Sequence, residues 1–154
     1  SWRDRVLKSA TRGGGRRSRL KVLVVEDNRR HAELISDELQ DSGVVAEIEW
    51  VDTGADALEK LAGPPVDLIV LDYRLPDTDG IELMKLFRSR GIEIPVIFVT
   101  TADSVQLAVE AMKLGAYDYL LKPFNPVQLR SRALVGLRWL SYLDSLQESQ
   151  TASA

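Results

Sequence analysis

Four places along the chain set chemistry-bearing side chains directly behind short apolar runs: Glu26 and Asp27 after VLVV, Asp72 after LIVL, Thr100 and Thr101 after VIFV, and Lys122 after DYLL. If these points converge, they form a cluster of three carboxylates, two hydroxyls and one amine. Three carboxylates at one edge repel one another unless a divalent cation or an ammonium group offsets the charge. Mg²⁺ suits such a cluster, because its ligands are oxygens and it keeps several waters. Beside that cation Asp72 can act as a nucleophile toward phosphorus, since repulsion between the carboxylate and incoming phosphoryl oxygens is screened. Lys122 adds a second positive charge, and the product is an acyl phosphate.

Taken singly, each part has a plainer reading. An acidic pair after a strand is most often a helix N-cap, a lysine before a proline is most often a solvated loop residue, and a threonine ending a strand turns its hydroxyl onto the backbone. Only joint placement at successive strand ends favours the chemical reading, so the elements that would position these residues decide the matter.

Five apolar runs, over 22–25, 46–51, 68–71, 96–99 and 117–121, read as strands, and amphipathic spacing over 29–41, 55–61, 81–90 and 105–114 reads as helices between them. In the first helix Ala32, Ile35 and Leu39 share one face, and Gly43 stands just beyond its end. Strand and helix alternate with no hairpin-length connection. That pattern implies a parallel sheet with right-handed crossovers and helices on both faces, a doubly wound three-layer α/β domain. Ligands of such sheets sit outside the carboxyl ends of the strands, where the residues singled out above fall.

The 154 residues, 45% of them apolar, suffice for one core plus tails. Absence of cysteine excludes disulfides, thiolate zinc sites and cysteine nucleophiles, and the single His31 cannot build a polyhistidine metal site. No apolar stretch approaches a membrane span and no signal peptide opens the sequence, so a soluble, cytoplasmic protein is expected. Net charge is −3, yet Arg3, Arg5, Lys8, Arg12, Arg16, Arg17 and Arg19 face only Asp4 ahead of Leu20. With Gly13, Gly14 and Gly15 this makes 1–19 a basic flexible arm or linker, native or introduced; the start at Ser1 suggests an excised piece.

The runs VLVVEDN from Val22, DLIVLDYRLPDTDGIELM from Asp67, PVIFVTTAD from Pro95 and GAYDYLLKPF from Gly115 resemble the receiver (phosphoacceptor) domain of bacterial two-component response regulators, with order and spacing intact across 20–124. The resemblance implies a flavodoxin-like (βα)5 fold, chemotaxis-receiver-like, with a five-stranded parallel sheet in the order 2-1-3-4-5. That order leaves the charged strand with Glu47 and Glu49 at an edge. It implies Asp72 as phosphoacceptor, Asp27 and Asp72 as direct Mg²⁺ ligands, Glu26 reaching the ion through water, and the Arg74 backbone carbonyl as a further ligand. Lys122 and Thr101 would contact the phosphoryl group, and the bond between Lys122 and Pro123 would be cis.

The resemblance also implies a switch. Phosphorylation adds charge and acceptor oxygens that draw the Thr100 hydroxyl inward, and Tyr119 turns from an exposed to a buried rotamer, reshaping the face of the fourth helix, fifth strand and fifth helix. Arg74 and Ala102 occupy the two positions that tune acyl-phosphate lifetime in receivers. Ala102 cannot position an attacking water and Arg74 partly shields the site, so autodephosphorylation is expected not to be especially fast.

The receiver is expected to cover 20–135, with its fifth helix starting near Asn125 and Pro126. The segment 136–154 reads as an extension of that helix, a signalling or coiled-coil helix with a frayed tail, because Leu134, Leu137, Trp139, Leu140, Tyr142, Leu143 and Leu146 put apolar groups around much of its circumference. Expected partners are a sensor histidine kinase or phosphotransfer domain as donor, a second copy through that helix or the switching face, and an output domain outside this chain. The arm lacks a recognition helix or stacking platform, which argues against direct nucleic-acid binding. A phosphatase of the haloacid dehalogenase type would carry a second acid two residues after the nucleophile. Arg74 stands there instead, so a signalling role rather than an enzyme's turnover of an external metabolite is expected.

Overall fold

A computed structural model describes residues 20–41, 45–101, 105–122 and 131–132. The basic arm, Ala102, the side chain of Thr101, Pro123 with the expected cis bond, and all but Arg132 and its neighbour Ser131 of the expected terminal helix lie outside the described residues.

The elements run β1 (Leu20–Val25), α1 (Arg29–Asp41), β2 (Val45–Val51), α2 (Gly54–Leu61), β3 (Leu68–Asp72), α3 (Gly80–Ser89), β4 (Val96–Thr101), α4 (Val105–Lys113) and β5 (Asp118–Lys122). The strands form one parallel sheet in the order β2-β1-β3-β4-β5. This is the expected doubly wound, flavodoxin-like arrangement.

Strand residues alternate between two cores, because successive side chains point to opposite faces of a sheet. Val22, Val24, Val70 and Val99 pack with Ala32, Ile35 and Leu39 of α1 on one face. Leu23, Val25, Leu71 and Phe98 pack on the other with Ala57 of α2, Leu83, Met84 and Phe87 of α3, and Ala111 of α4. A strand covered on both sides must be apolar at every position, which is why β1 and β3 read as unbroken Val/Leu/Ile runs. The charged strand β2 lies at the edge, where Glu49 pairs with Lys21 at 2.8 Å and Lys60 at 3.3 Å.

Helix starts are fixed by side chains that accept orphan backbone N–H groups: Asn28 Oδ1 from His31 at 3.1 Å, Thr53 Oγ1 from Asp56 at 3.1 Å, and Asp79 Oδ1 from Glu82 at 2.9 Å. Two helix ends use a glycine at positive φ, Gly91 at 72° after α3 and Gly115 at 92° after α4. Behind them Ile92 N donates back to Phe87 O and Ala116 N to Ala111 O, both at 2.9 Å, which completes the left-handed glycine stop.

Three strands reach further at their carboxyl ends than their apolar runs. Asp72, Thr100 and Thr101, and Lys122 are terminal strand residues, because parallel pairing continues through Asp72 with Val99, Thr100 with Leu121 and Thr101 with Lys122. The last strand starts at Asp118, one residue later than its pattern suggests, although Tyr117 N already donates to Val96 O of β4 at 2.8 Å.

Candidate functional site

The carboxyl ends of β1, β3, β4 and β5 open into a cleft of about 290 Å³ lined by Glu26, Asp27, Asn28, His31, Asp72, Tyr73, Arg74, Thr100 and Lys122. Each wall residue is held by the fold. Glu26 follows β1, its N–H donating to Val51 O at 3.1 Å and its carbonyl accepting from the Trp50 indole Nε1 at 2.6 Å. Its side chain is buried and accepts from Asn28 N at 3.2 Å, so the turn into α1 grips both ends of the residue. Asp72 ends β3, and behind it Tyr73 N donates to Val99 O at 2.9 Å.

Carboxylate oxygens of Glu26, Asp27 and Asp72 lie within 4.8 Å of one another; Glu26 and Asp72 are buried and Asp27 is exposed. The Lys122 ammonium enters from β5, 3.2 Å from Asp72 Oδ1 and 3.2 Å from Glu26 Oε2. One ammonium against three carboxylates leaves the cluster short of positive charge. Burial, reinforced by the Asp72 charge, pushes the Glu26 carboxyl up to about 8, and Lys122 offsets only part of this. Burial also raises Asp72, against the pull of Lys122. The His31 imidazole is pushed down by burial and by Lys122. A cluster of three oxygen-donor side chains with unbalanced negative charge, open to solvent at Asp27, fits a hard divalent cation such as Mg²⁺.

Thr100 is 1% exposed, and its hydroxyl has no hydrogen-bond partner among the described residues. A buried hydroxyl without a partner marks a place where an acceptor is expected to arrive. Arg74 lines the cleft, its side chain exposed and its backbone bridged to Asp79, which holds the loop between β3 and α3. Tyr119 stands apart on β5, beside Phe98 in register and 36% exposed. The fold thus brings Glu26, Asp27, Asp72, Arg74, Thr100 and Lys122 to one cleft and leaves Tyr119 outside it. The sequence patterns place none of Asn28, His31, Trp50 and Tyr73 at this site. The signal for His31 was its position in the first turn of the helix that follows the acidic pair.

The family model for the response regulator receiver domain matches residues 22–134. The transcriptional regulatory protein SilR of Salmonella typhimurium is 34% identical over 119 residues, 77% of this chain and 51% of SilR. The response regulator protein FleR of Pseudomonas aeruginosa is 42% identical over 117 residues, 76% of this chain and 23% of FleR. This chain therefore spans about half the length of SilR and about a quarter of FleR. Among solved structures, the signal receiver domain of a Luxo repressor protein from Vibrio parahaemolyticus superposes with a TM-score of 0.75 at 33% identity, covering 83% of this chain and 97% of that one. With the same sheet order and a matching span this long, the chain belongs to the response regulator receiver domains of two-component signalling systems.

Proposed function

We propose that this receiver takes a phosphoryl group from the phosphohistidine of a sensor kinase or phosphotransfer domain onto Asp72. The observation that carries this reading is the Asp72 carboxylate itself, at the floor of an open cleft, 3.2 Å from the Lys122 ammonium and beside two further carboxylates. In the transfer an Asp72 oxygen forms a bond to phosphorus as the P–N bond to the donor imidazole breaks and its electron pair returns to the ring. Asp27, Asp72 and the Arg74 carbonyl would hold Mg²⁺ directly and Glu26 through water. That ion would screen the charge between the carboxylate and the arriving group.

Lys122 contacts the transferred phosphoryl oxygens, and the Thr100 hydroxyl and Thr101 turn toward them. Tyr119 then moves into the space that Thr100 leaves, altering the face that it would share with α4 and the expected fifth helix. The receiver promotes its own phosphorylation and dephosphorylation without turning over an external metabolite. With Arg74 over the cleft and no polar side chain at Ala102, hydrolysis is not especially fast. Output passes to a further domain, or to a second copy across the switching face or the terminal helix. Among the described residues no helix is long and apolar enough to cross a membrane, in keeping with a cytoplasmic place of action.

Incubation with acetyl phosphate or a phosphorylated donor domain and Mg²⁺, followed by mass spectrometry, is expected to find one phosphoryl adduct on Asp72 and none in Asp72→Asn. An adduct at another residue, or none with a donor that labels other receivers, overturns the assignment.

A further inference from the structure

Lys122 carries the ammonium of the cleft, and such a group has three N–H donors and no lone pair. Glu26 and Asp72 take it at 3.2 to 3.3 Å. Beside Glu26 stands His31 Nδ1, 3.3 Å from Nζ and 3.8 Å from Glu26 Oε1. Because lysine can only donate, the imidazole must accept at Nδ1, which puts its own proton on Nε2. The ammonium is therefore shared among three residues, two carboxylates and one ring nitrogen.

The His31 side chain is 42% exposed, but the backbone that carries it is fixed. His31 is the third residue of α1, and its backbone N–H is fixed by the Asn28 cap at 3.1 Å. The same cap residue donates its own N–H to Glu26 at 3.2 Å, so imidazole and acidic pair are anchored by one turn. The three acceptors come from the turn after β1, the end of β3 and the first turn of α1.

We propose that His31 is a positioning residue for Lys122: its imidazole holds the ammonium out toward the mouth of the cleft, aligned on the oxygens of a group arriving at Asp72. This rests on the receiver reading above. An uncharged acceptor suits the task better than a third acid would. It orients the ammonium without cancelling its charge and without repelling an arriving dianion. Without it, Lys122 settles more deeply onto the buried Glu26 and Asp72 carboxylates, and an arriving phosphoryl group must compete with both.

His31→Leu removes the acceptor at similar bulk, whereas His31→Asn places an amide oxygen the same number of bonds from the backbone as Nδ1. With acetyl phosphate and Mg²⁺, His31→Leu is expected to be phosphorylated about three- to tenfold more slowly and to bind beryllofluoride correspondingly more weakly, the scale of one lost hydrogen bond. His31→Asn is expected to recover most of both, and His31→Asp to be slower than His31→Leu. The ¹⁵N resonance of Lys122 Nζ should shift in the leucine variant and return toward wild type with asparagine, while thermal unfolding stays close to wild type throughout. Leucine and wild-type proteins with equal rates and equal Lys122 resonances would overturn the role of His31 and leave the receiver reading intact. A wild-type chain that takes no phosphoryl group would instead sink the receiver reading itself.

Discussion

At the scale of single residues, the site concentrates charge that folding alone does not neutralise. Glu26 is buried beside Asp72, and its carboxyl titrates near 8 rather than in the usual carboxylate range. Between about 4.5 and about 8 the folded chain holds a proton that the unfolded chain has released. Stability therefore falls as pH rises across that window and is flat above it. Asp72, also raised, adds to the same slope. In the absence of divalent cations, the urea midpoint is expected to be higher near pH 5 than near pH 8.5, and Glu26→Gln should flatten most of the difference. Added Mg²⁺ should restore the midpoint at high pH, since cation binding requires the deprotonated acids. A midpoint that rises with pH in chelator would show that these carboxyls are not raised.

At the scale of elements, the sequence disclosed which segments form but not how they meet. The apolar runs and the helical spacing marked all nine described elements, because burial on one or both faces writes itself directly into residue order, as Ala32, Ile35 and Leu39 show in α1. The strand-end chemistry of Asp72 and Lys122 was legible for the same reason. What stayed hidden were contacts between residues far apart in sequence: the Trp50 indole on the Glu26 carbonyl, the Asp77 carboxylate capping Gly54 and Ala55 at 2.9 and 3.0 Å, and His31 against Lys122. No local pattern encodes such pairs; sheet order and register create them.

Gly80 belongs with these hidden contacts. A Cβ there would lie 2.7 Å from the Phe98 ring and 2.9 Å from the Asp72 carbonyl oxygen, so the start of α3 approaches the end of β3 only because the side chain is missing. Gly80 N also donates to Tyr73 O at 2.7 Å, which fixes that approach. Gly80→Ala is therefore expected to lower stability by about 1–3 kcal/mol through overpacking, and to slow phosphorylation by displacing the backbone of Asp72. Calorimetry together with the adduct assay checks both, and a variant as stable as wild type would show that the helix simply shifts.

At the scale of the whole molecule, the question is how one added group reaches a distant face. Thr100 and Phe98 point to the same side of β4, and Tyr119 lies beside Phe98 across the ladder to β5. The Thr100 hydroxyl, without a hydrogen-bond partner among the described residues, and the 36% exposed Tyr119 thus lie on one sheet face, diagonal to each other across the ladder between β4 and β5. Val105, Val109 and Met112 of α4 and Tyr117 ahead of β5 are also exposed. On the function proposed above, a phosphoryl oxygen on Asp72 would offer the Thr100 hydroxyl an acceptor. A hydroxyl drawn toward Asp72 would leave room for the ring to turn in, and the exposed apolar face would change shape. The phosphoryl group need only favour the inward arrangement over the outward one, shifting a population that exists beforehand. Thr100→Ala separates the two halves of this sequence. It keeps Asp72 and Lys122, so the adduct should still form, but it removes the hydroxyl proposed to carry the signal. A fluorinated tyrosine at position 119 should become protected from solvent on beryllofluoride addition in the wild type and respond far less in Thr100→Ala. An equal response in both would mean that the ring is moved by some other displacement at the end of β4, and that the hydroxyl is merely buried.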